Sequence, residues 1–489
     1  MRSTFGGLTI GLSGAWAQQK ALDVTGHNIS NVNTPGYSRQ GISHATSTPT
    51  RYGQSGNGNM MTVGTGVDVQ DIRQYRDYFL DQKLKRENQE LGYWDAKKSS
   101  IEELETIFND NSEDGLQTVM DNFWNSWSQL SKPGGGLTAR SLVKENAISF
   151  VETVKNLDTM LLDYRKNRNN EIKENVDKLN KITSSIAELN YDIKRVEASG
   201  VVANDARDQR DALVDELSKL VKIQVIDGST YNIAVEGLQV VAGNDSIPLT
   251  AVPSASANGY YSIKWGKTME NVNISGGSIK ALVESRDELI DGYRNRLNEF
   301  VKGVAMEMND LHLAGYGNLD DLPRVMFVDK ATNTADTNTV IDLANIAFNP
   351  DLEEVNHIAA AKLKPSQGNY EDNRNALEIS EWRLKDVFSD KLYEGAADLD
   401  AKLNFDEFYR SIISDIGLDG NKAANAADAQ GLLVEQVEYK RQSLMAVSLD
   451  EEMSNLIKFE HSYNAAARIV NAMDEMIEAV VNKVGLVGR

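Results

Sequence analysis

Hydrophobic residues recur at every seventh position at both ends of the chain. The C-terminal row, followed by the apolar residues at its alternate positions, is Leu449, Leu456, Tyr463, Val470, Ile477 and Val484, then Met453, Ala467 and Val481. The N-terminal row is Leu8, Ala15, Leu22 and Ile29, with Leu12 and Trp16 beside it. A sustained seven-residue repeat predicts a helix that supercoils against a partner. We therefore expect a helix at each end, the two pairing as a coiled coil.

Local signals bound these two helices. Pro35 and Gly36 end the first helix, because proline cannot continue it and glycine suits the turn. Ser448 and Glu451 form a capping-box pattern at the start of the second. The first helix is rich in Gly, Ser and Thr, so its intrinsic propensity is weak and it needs a partner. We expect both terminal segments to be mobile in the free monomer and to fold on assembly. The alternative is that both pack on the body as ordinary core.

Helical periodicity also dominates residues 67–220, after an extended, Ser/Thr/Gly/Asn-rich connector at 43–66. Its clearest stripe has spacings of four and three: Ile172, Val176, Leu179, Thr183, Ile186 and Ile193. This stripe predicts a coiled-coil-like arm that turns at Ser199-Gly200 into a second helix. The charged run from Asp205 to Asp211 on that helix indicates a solvated face.

The period changes between residues 221 and 274. Short β-branched runs, punctuated by Gly, Asn and Pro, predict strands at Lys222–Ile226, Tyr231–Val235, Gln239–Val241 and Tyr260–Trp265. Helix is predicted again from Ser278 to Ala314 and from Asn375 onward. The remaining predictions are a strand at Val325–Val328, a short helix at Asp351–Ala361 and a Gly/Asp turn at Gly417–Asn421.

Together these patterns predict a mainly α fold with an inserted β-rich domain. The terminal helices, 1–45 and 445–489, form an assembly domain, and 46–220 with 275–444 form a mainly helical body that carries the arm. Residues 221–274 form the β-rich outer domain. The predicted assembly interface consists of the two seven-spaced rows together with Leu12 and Met453.

The amino-acid composition disfavours several classes of binding partner and site. The chain has 51 Lys and Arg against 72 Asp and Glu, a formal net charge of −21, which disfavours binding to nucleic acid and anionic membranes. It has no cysteine, which excludes disulfides and thiolate metal sites. No apolar run approaches a membrane span. Arg2 and the run Phe5–Ala17 faintly resemble a signal peptide, but the glycines make a poor apolar region.

Catalytic and metal-binding motifs are incomplete. Trp265–Thr268 resembles the end of a phosphate loop, but Tyr261 stands where glycine is required. Asp415–Ala426 imitates a calcium loop, but its twelfth residue is Ala426 where an acidic ligand is needed. The five histidines have no metal-like spacing, and neither HExxH nor GxSxG occurs. We predict a protein that is not an enzyme and binds no cofactor or metal.

Both ends of the sequence resemble one family. Ser3–Leu22 and the stretch GHNISNVNTPGYSRQ at Gly26–Gln40 are similar to the N-terminus of flagellar axial proteins, and Tyr37–Gln40 resembles the hook-associated protein 1 family in particular. Ser448–Phe459, with Tyr463, Ala465–Arg468 and Met473–Met476, resembles that family's C-terminal helix. Internal stretches, Asn204-Asp205, Asp208–Asp211, Asp215–Val221 and Ser285–Tyr293, resemble its helical body.

The resemblance implies a structural subunit of the bacterial flagellum that forms the junction between hook and filament. It implies self-assembly into a tube, with the terminal helices lining the inside. Implied partners are the hook protein, a second junction protein on the filament side, the filament cap during assembly and a cytoplasmic export chaperone on the C-terminal helix. It further implies an extracellular location, reached through the flagellar type III apparatus without a cleaved signal.

Three rival functions remain. The first is another flagellar axial protein, such as a hook or distal-rod subunit; the helical arm at 163–220 argues against it, because hook-type subunits are mainly β in the body. The second is an enzyme carried on the flagellum, and the absence of HExxH argues against a protease insertion. The third and most distant is a secreted coiled-coil adhesin.

Overall fold

Helices dominate the part of the chain that the computed structural model describes, which is residues 6–54, 60–108, 115–133, 136–254, 259–333, 340–368, 370–389 and 402–483. They are α1 (Gly6–Ser30), α2 (Tyr78–Phe108), α3 (Leu116–Leu130), α4 (Leu137–Glu197), α5 (Asn204–Leu220), α6 (Gly277–Glu284), α7 (Ile290–Leu313), α8 (Arg374–Trp382), α9 (Phe405–Met445) and α10 (Leu449–Lys483). A π-helical segment, Ser285–Leu289, joins α6 to α7. The predicted mainly α class is confirmed. Among these helices, none has the length and apolar character of a membrane span.

The strands are short and form small antiparallel sheets. They are β1 (Gln40–Thr46), β2 (Thr50–Gln54), β3 (Met60–Val63), β4 (Val67–Gln74), β5 (Gln224–Asp227), β6 (Tyr231–Val235), β7 (Leu238–Ala242), β8 (Asp245–Ser246), β9 (Leu249–Pro253), β10 (Tyr261–Trp265), β11 (Phe327–Asp329), β12 (Ile346–Phe348), β13 (Phe388–Ser389) and β14 (Lys402–Leu403). One sheet has the strand order β5-β6-β7-β8, and the others are the pairs β1-β4, β2-β3, β9-β10, β11-β12 and β13-β14. The strands predicted at Tyr231–Val235 and Tyr260–Trp265 match β6 and β10 to within one residue.

The first hydrophobic core lies where α2, α3, α7, α8 and α9 meet the N-terminal half of α4. Its largest fully buried side chains are aromatic: Phe123, Trp127, Phe150, Phe300, Phe327, Phe405 and Tyr409. On α3, buried residues recur at spacings of three and four because one helical face meets α4.

The second hydrophobic core joins the predicted arm to the β-rich segment. The C-terminal half of α4 contributes Ile172, Val176 and Leu179, and α5 contributes Val214 and Leu217. Side chains from β6, β7, β9, β10 and α6 complete the same core. The sheets therefore pack along α4, whose 61 residues run through both cores. The helix pair turns at Gly200, whose φ of +84° lies in the left-handed region that glycine adopts without strain.

The predicted turn at Gly417–Asn421 is wrong, because α9 continues through it without a break. The buried row Ile412, Ile416, Ala423 and Ala427 keeps one helical face against the body on both sides of the glycines. A β-carbon on Gly420 would lie 3.4 Å from Ile101 Cγ2, so α9 approaches α2 closely at this position. Packing therefore outweighs the cost of about 1 kcal/mol that a glycine adds to a helix.

Two further predictions are wrong at the local level. Helix was predicted from residue 67, but Val67–Gln74 is strand β4, paired with β1. Its residues alternate between half-buried and exposed, which is the period of a strand. The predicted short helix at Asp351–Ala361 consists instead of two single-turn 3-10 segments, Pro350–Glu353 and Val355–His357.

Candidate assembly interface

The two terminal helices pack against each other in antiparallel orientation. Gly7 lies beside Met473, Gly11 beside Val470 and Gly14 beside Ala466. At the other end of the pair, Asn28 bonds to Glu452. Residues with higher numbers on α1 contact residues with lower numbers on α10, so the two helices run in opposite directions.

Glycine allows this close approach. A β-carbon on Gly7 would lie 2.5 Å from the Met473 sulfur, and one on Gly11 would lie 2.9 Å from Val470 Cγ2. At Gly7 the flexible end of the Met473 side chain could rotate away, but at Gly11 the Val470 methyl and the backbone behind it would have to shift. The same glycines lower the helix propensity of α1, so contact with α10 offsets a local cost.

The predicted interface residues occupy different environments in the single chain. On α1, Ala15 is buried and Leu12 is 41% exposed, while the others are half-buried: Leu8, Leu22 and Ile29. On α10, half-buried positions are Leu456, Val470 and Ile477, and exposed positions are Leu449, Met453 and Tyr463. Val484 lies outside the described residues. Of the predicted residues on α10, Val470 lies against α1, next to Gly11. That the whole seven-spaced row forms the assembly interface stays a prediction.

Each helix of the pair exposes apolar side chains to solvent. On α10 these are Leu449, Met453, Ile457, Tyr463, Ile469, Met476, Val480 and Val481. On α1 they are Leu12 and Trp16, and Trp16 is 72% exposed. A groove of about 420 Å³ runs beside Trp16 between α1 and β4. Exposed apolar surface of this extent is typical of an interaction site.

The segment that follows α1 ties the pair to the body. Arg39 Nε donates to Glu452 Oε1 and Arg39 Nη1 donates to Glu451 Oε2, both at 2.7 Å. The Arg39 N–H donates to Met445 O at the end of α9. Burial disfavours the Arg39 cation, but Glu452 and Glu451 outweigh it and raise its pKa. The Glu451 carboxylate therefore pairs with Arg39, while the Glu451 N–H donates the N-cap hydrogen bond to Ser448 Oγ at 3.5 Å.

Asp208 on α5 anchors the same segment. Ser38 donates to it through both its N–H (2.9 Å) and its Oγ (2.6 Å). Asp208 is 5% exposed, so the prediction that Asp205–Asp211 forms a solvated face is wrong for Asp208 and for the buried Arg210, whereas Asp205 and Gln209 are exposed. The residues around Ser38 cover this part of α5. Burial raises the pKa of Asp208, and the bonds from Ser38 and the charge of Arg76 oppose the rise.

Two half-buried arginines, Arg76 and Arg441, continue this polar contact into the body. Arg76, just after β4, pairs with Asp211 and lies 3.1 Å from Asp81. Arg441 of α9 pairs with Asp215 of α5 at 2.6 Å. Sequence reasoning missed both arginines, because the partners that join them to α5, Asp211 and Asp215, lie far away in the chain. Among the described residues, no group of three or more His, Asp or Glu is placed to hold a metal ion.

Comparison with known proteins matches the same regions. A family model described as "Flagellar hook-associated protein FlgK helical domain" matches residues 101–327. Two others, "Flagella basal body rod protein" and "Flagellar basal body rod FlgEFG protein C-terminal", match residues 8–37 and 443–483. Flagellar hook-associated protein 1 of Bacillus subtilis (strain 168) is 29% identical over 536 residues, covering 100% of both chains.

The chain is similar along its whole length to the flagellar hook-associated protein 1 family.

Other relatives show the same similarity. Proteins of the same name from Escherichia coli (strain K12) and Salmonella typhimurium are each 26% identical, covering 96% of this chain and 98% of theirs. A solved structure, titled "The structure of the flagellar hook junction protein FlgK from Burkholderia pseudomallei", superposes with a TM-score of 0.62 at 14% identity. That match covers 75% of this chain and 100% of the other and supports the fold. The resemblance read from the sequence is confirmed.

Proposed function

We propose that this chain is a structural subunit of the bacterial flagellum that forms the hook–filament junction and assembles through α1 and α10. The observation that carries the proposal is the exposed apolar surface of the terminal pair. Among the described residues, neither hydrophobic core includes a side chain of α1 or α10. Stability of the body therefore does not account for the apolar residues of these helices, whereas contact with neighbouring copies does.

The two exposed surfaces favour an open assembly. One lies on α10 around Leu449, Met453 and Ile457, and the other lies on α1 around Leu12 and Trp16. Contact between different surfaces of successive copies is heterologous, and such contacts generate rings or helical tubes instead of closed pairs. In the tube, the seven-spaced rows pack as a coiled coil between copies.

The remaining partners follow from the same surfaces and from the family. The hook protein contacts one end of the junction, and a second junction protein and the filament cap contact the other. Before export, a cytoplasmic chaperone covers the apolar face of α10. The subunit reaches the cell exterior through the flagellar type III apparatus. We assign it no catalytic activity, cofactor or nucleic-acid partner, and we keep the domain boundaries predicted from the sequence.

Immunoelectron microscopy tests this function. An antibody to the β-rich segment 221–274 is applied to isolated flagella. We expect label in one narrow band between hook and filament. Label along the whole hook would support a hook-type subunit instead, and label on the cell surface away from flagella would support an adhesin.

A further inference from the structure

The side chain of Asn28 uses its full hydrogen-bonding capacity at the base of the terminal pair. Nδ2 donates to Gln40 O at 2.9 Å and to Glu452 Oε2 at 3.1 Å. Oδ1 accepts from the Gln40 N–H at 3.0 Å and from the Tyr37 hydroxyl at 2.8 Å. A side-chain amide has two donor hydrogens and two acceptor lone pairs, so all four are engaged. The residue is 1% exposed.

This geometry requires asparagine. The amide pairs with both the N–H and the carbonyl of Gln40, as a neighbouring strand would, at the residue where β1 begins. Aspartate lacks the donor that Gln40 O and Glu452 require, and glutamine is one methylene longer. Burial, together with the charges of Asp205, Asp208 and Glu452, raises the pKa of Tyr37, so its hydroxyl remains a donor.

Glu452 completes the contact from the side of α10. It is 2% exposed and lies between Asn28 Nδ2 and Arg39 Nε. A buried carboxylate with these two partners is costly to separate from either. Asn28, Tyr37, Arg39, Gln40 and Glu452 are defined here as the latch, which joins α1, β1 and α10.

The rest of the pair is held differently. Beyond the latch, α1 and α10 meet through small residues such as Gly11, Gly14 and Ala466. These contacts involve no buried charge within the described residues and belong to neither core. The bonds that resist separation are thus concentrated at one end of the pair.

From this contrast we infer that Asn28 is a positioning residue that holds the bases of α1 and α10 on the body. In the free subunit the folded body then extends to Asn28 and Glu452, and the terminal helices become mobile only beyond these residues. The inference rests on the proposed function in one respect: a fixed base sets the direction in which the pair enters the tube.

Hydrogen–deuterium exchange on the full-length monomer tests the inference. In the wild type, we expect slow exchange at Ser38–Gln40 and Glu451–Glu452, and fast exchange in 6–27 and 454–483. Uniform protection along both helices would overturn the proposed boundary. Unprotected exchange at Ser38–Gln40 would overturn the latch itself.

Four variants identify the residue responsible. Asn28→Asp and Asn28→Ala should each speed exchange at Arg39 and Gln40 by about tenfold or more, because local opening then precedes global unfolding. Asn33→Asp adds the same charge at an exposed position and should leave the rates unchanged. Adding Glu452→Gln to Asn28→Asp returns a donor to the contact and should recover part of the protection.

Exchange in α4 reports whether each variant is folded. Two outcomes would overturn the role of Asn28, provided that exchange in α4 is unchanged. One is wild-type exchange at Arg39 and Gln40 in both Asn28 variants, and the other is no recovery of protection in the double variant. If labelling placed the wild-type protein away from the hook–filament junction, the proposed function would fail while the exchange result still decided the latch.

Discussion

At the residue scale, His312 shows how burial fixes a protonation state. Its ring is fully buried, Nε2 accepts from the Ala359 N–H at 3.0 Å, and Nδ1 lies 2.6 Å from Arg324 O and therefore carries the proton. Burial lowers the pKa of His312 to about 4, with a smaller contribution from the charges of Arg140 and Arg324. A second proton would sit on Nε2 and point at the Ala359 N–H, which is also a donor. The His312 ring is therefore neutral in the folded protein.

This pKa predicts acid sensitivity of the body. Because the folded pKa is depressed below the unfolded value of 6.5, the stability contribution is present above pH 6.5 and is lost as the pH falls towards 4. The loss at pH 4 is about 3 kcal/mol, at roughly 1.4 kcal/mol per pKa unit. Urea unfolding at pH 7 and pH 4, followed by tryptophan fluorescence, measures it, since Trp127 packs edge-on against His312. His312→Gln should lower stability at pH 7 but reduce the pH dependence; equal dependence in both proteins would contradict the assignment.

Leu456 offers a second test at this scale. It lies mid-row on α10 and is half-buried in the single chain. Burying a leucine contributes about 1.5–3 kcal/mol, and an unpaired carboxylate in its place costs several more. Leu456→Asp should therefore abolish incorporation, so that filament subunits leak into the medium, while the isolated variant keeps the wild-type melting temperature. Glu460→Leu is the control and should be tolerated. A melting temperature lower by several degrees in Leu456→Asp would place α10 in the folded core.

At the element scale, the pairing of α1 with α10 can be tested by a disulfide. A β-carbon on Gly14 would lie 3.6 Å from Ala466 Cβ, within the range that disulfides span. The chain has no native cysteine, so Gly14→Cys with Ala466→Cys is a clean pair. We expect an intramolecular disulfide in the assembled protein, where the two helices are ordered, read by mass spectrometry and gel mobility. The control pair is Gly14→Cys with Ala465→Cys, which moves the second cysteine to an exposed position on α10. This pair should form its disulfide far more slowly. Equal rates would indicate that the two helices have no fixed register.

The same scale shows which features the sequence makes readable. Short β-branched runs identified β6 and β10, and spacings of three and four identified the helix pair α4–α5, whose apolar stripe is buried. The continuity of α9 was not readable, since packing on α2 overrides two glycines. The latch was visible only as a family signature, because its bonds join residues such as Asn28 and Glu452 that are 424 positions apart. Hydrogen bonds between distant residues leave no periodic trace in a sequence.

At the scale of the whole molecule, the net charge of −21 opposes assembly of many copies. Helix α1 contributes almost nothing to this charge, because residues 6–30 include one lysine and one aspartate. Repulsion between copies therefore acts mainly through the bodies and the base of the pair, whereas attraction acts through the apolar surfaces of α1 and α10. Salt screens the repulsion between charges, because the Debye length falls from about 30 Å at 0.01 M to about 8 Å at 0.15 M. It leaves the attraction between apolar surfaces almost unchanged over this range.

Self-association should therefore strengthen with ionic strength over this range. Sedimentation velocity at constant protein concentration measures it, and we expect the weight-average sedimentation coefficient to rise from about 0.01 M to about 0.15 M NaCl and then level off. Leu456→Asp is the matched control: if its association rises equally, the effect is general salting-out that does not involve α10. Weaker association at higher salt would mean that ion pairs between copies hold the interface, and the apolar surfaces of the terminal pair would then lose their assigned role.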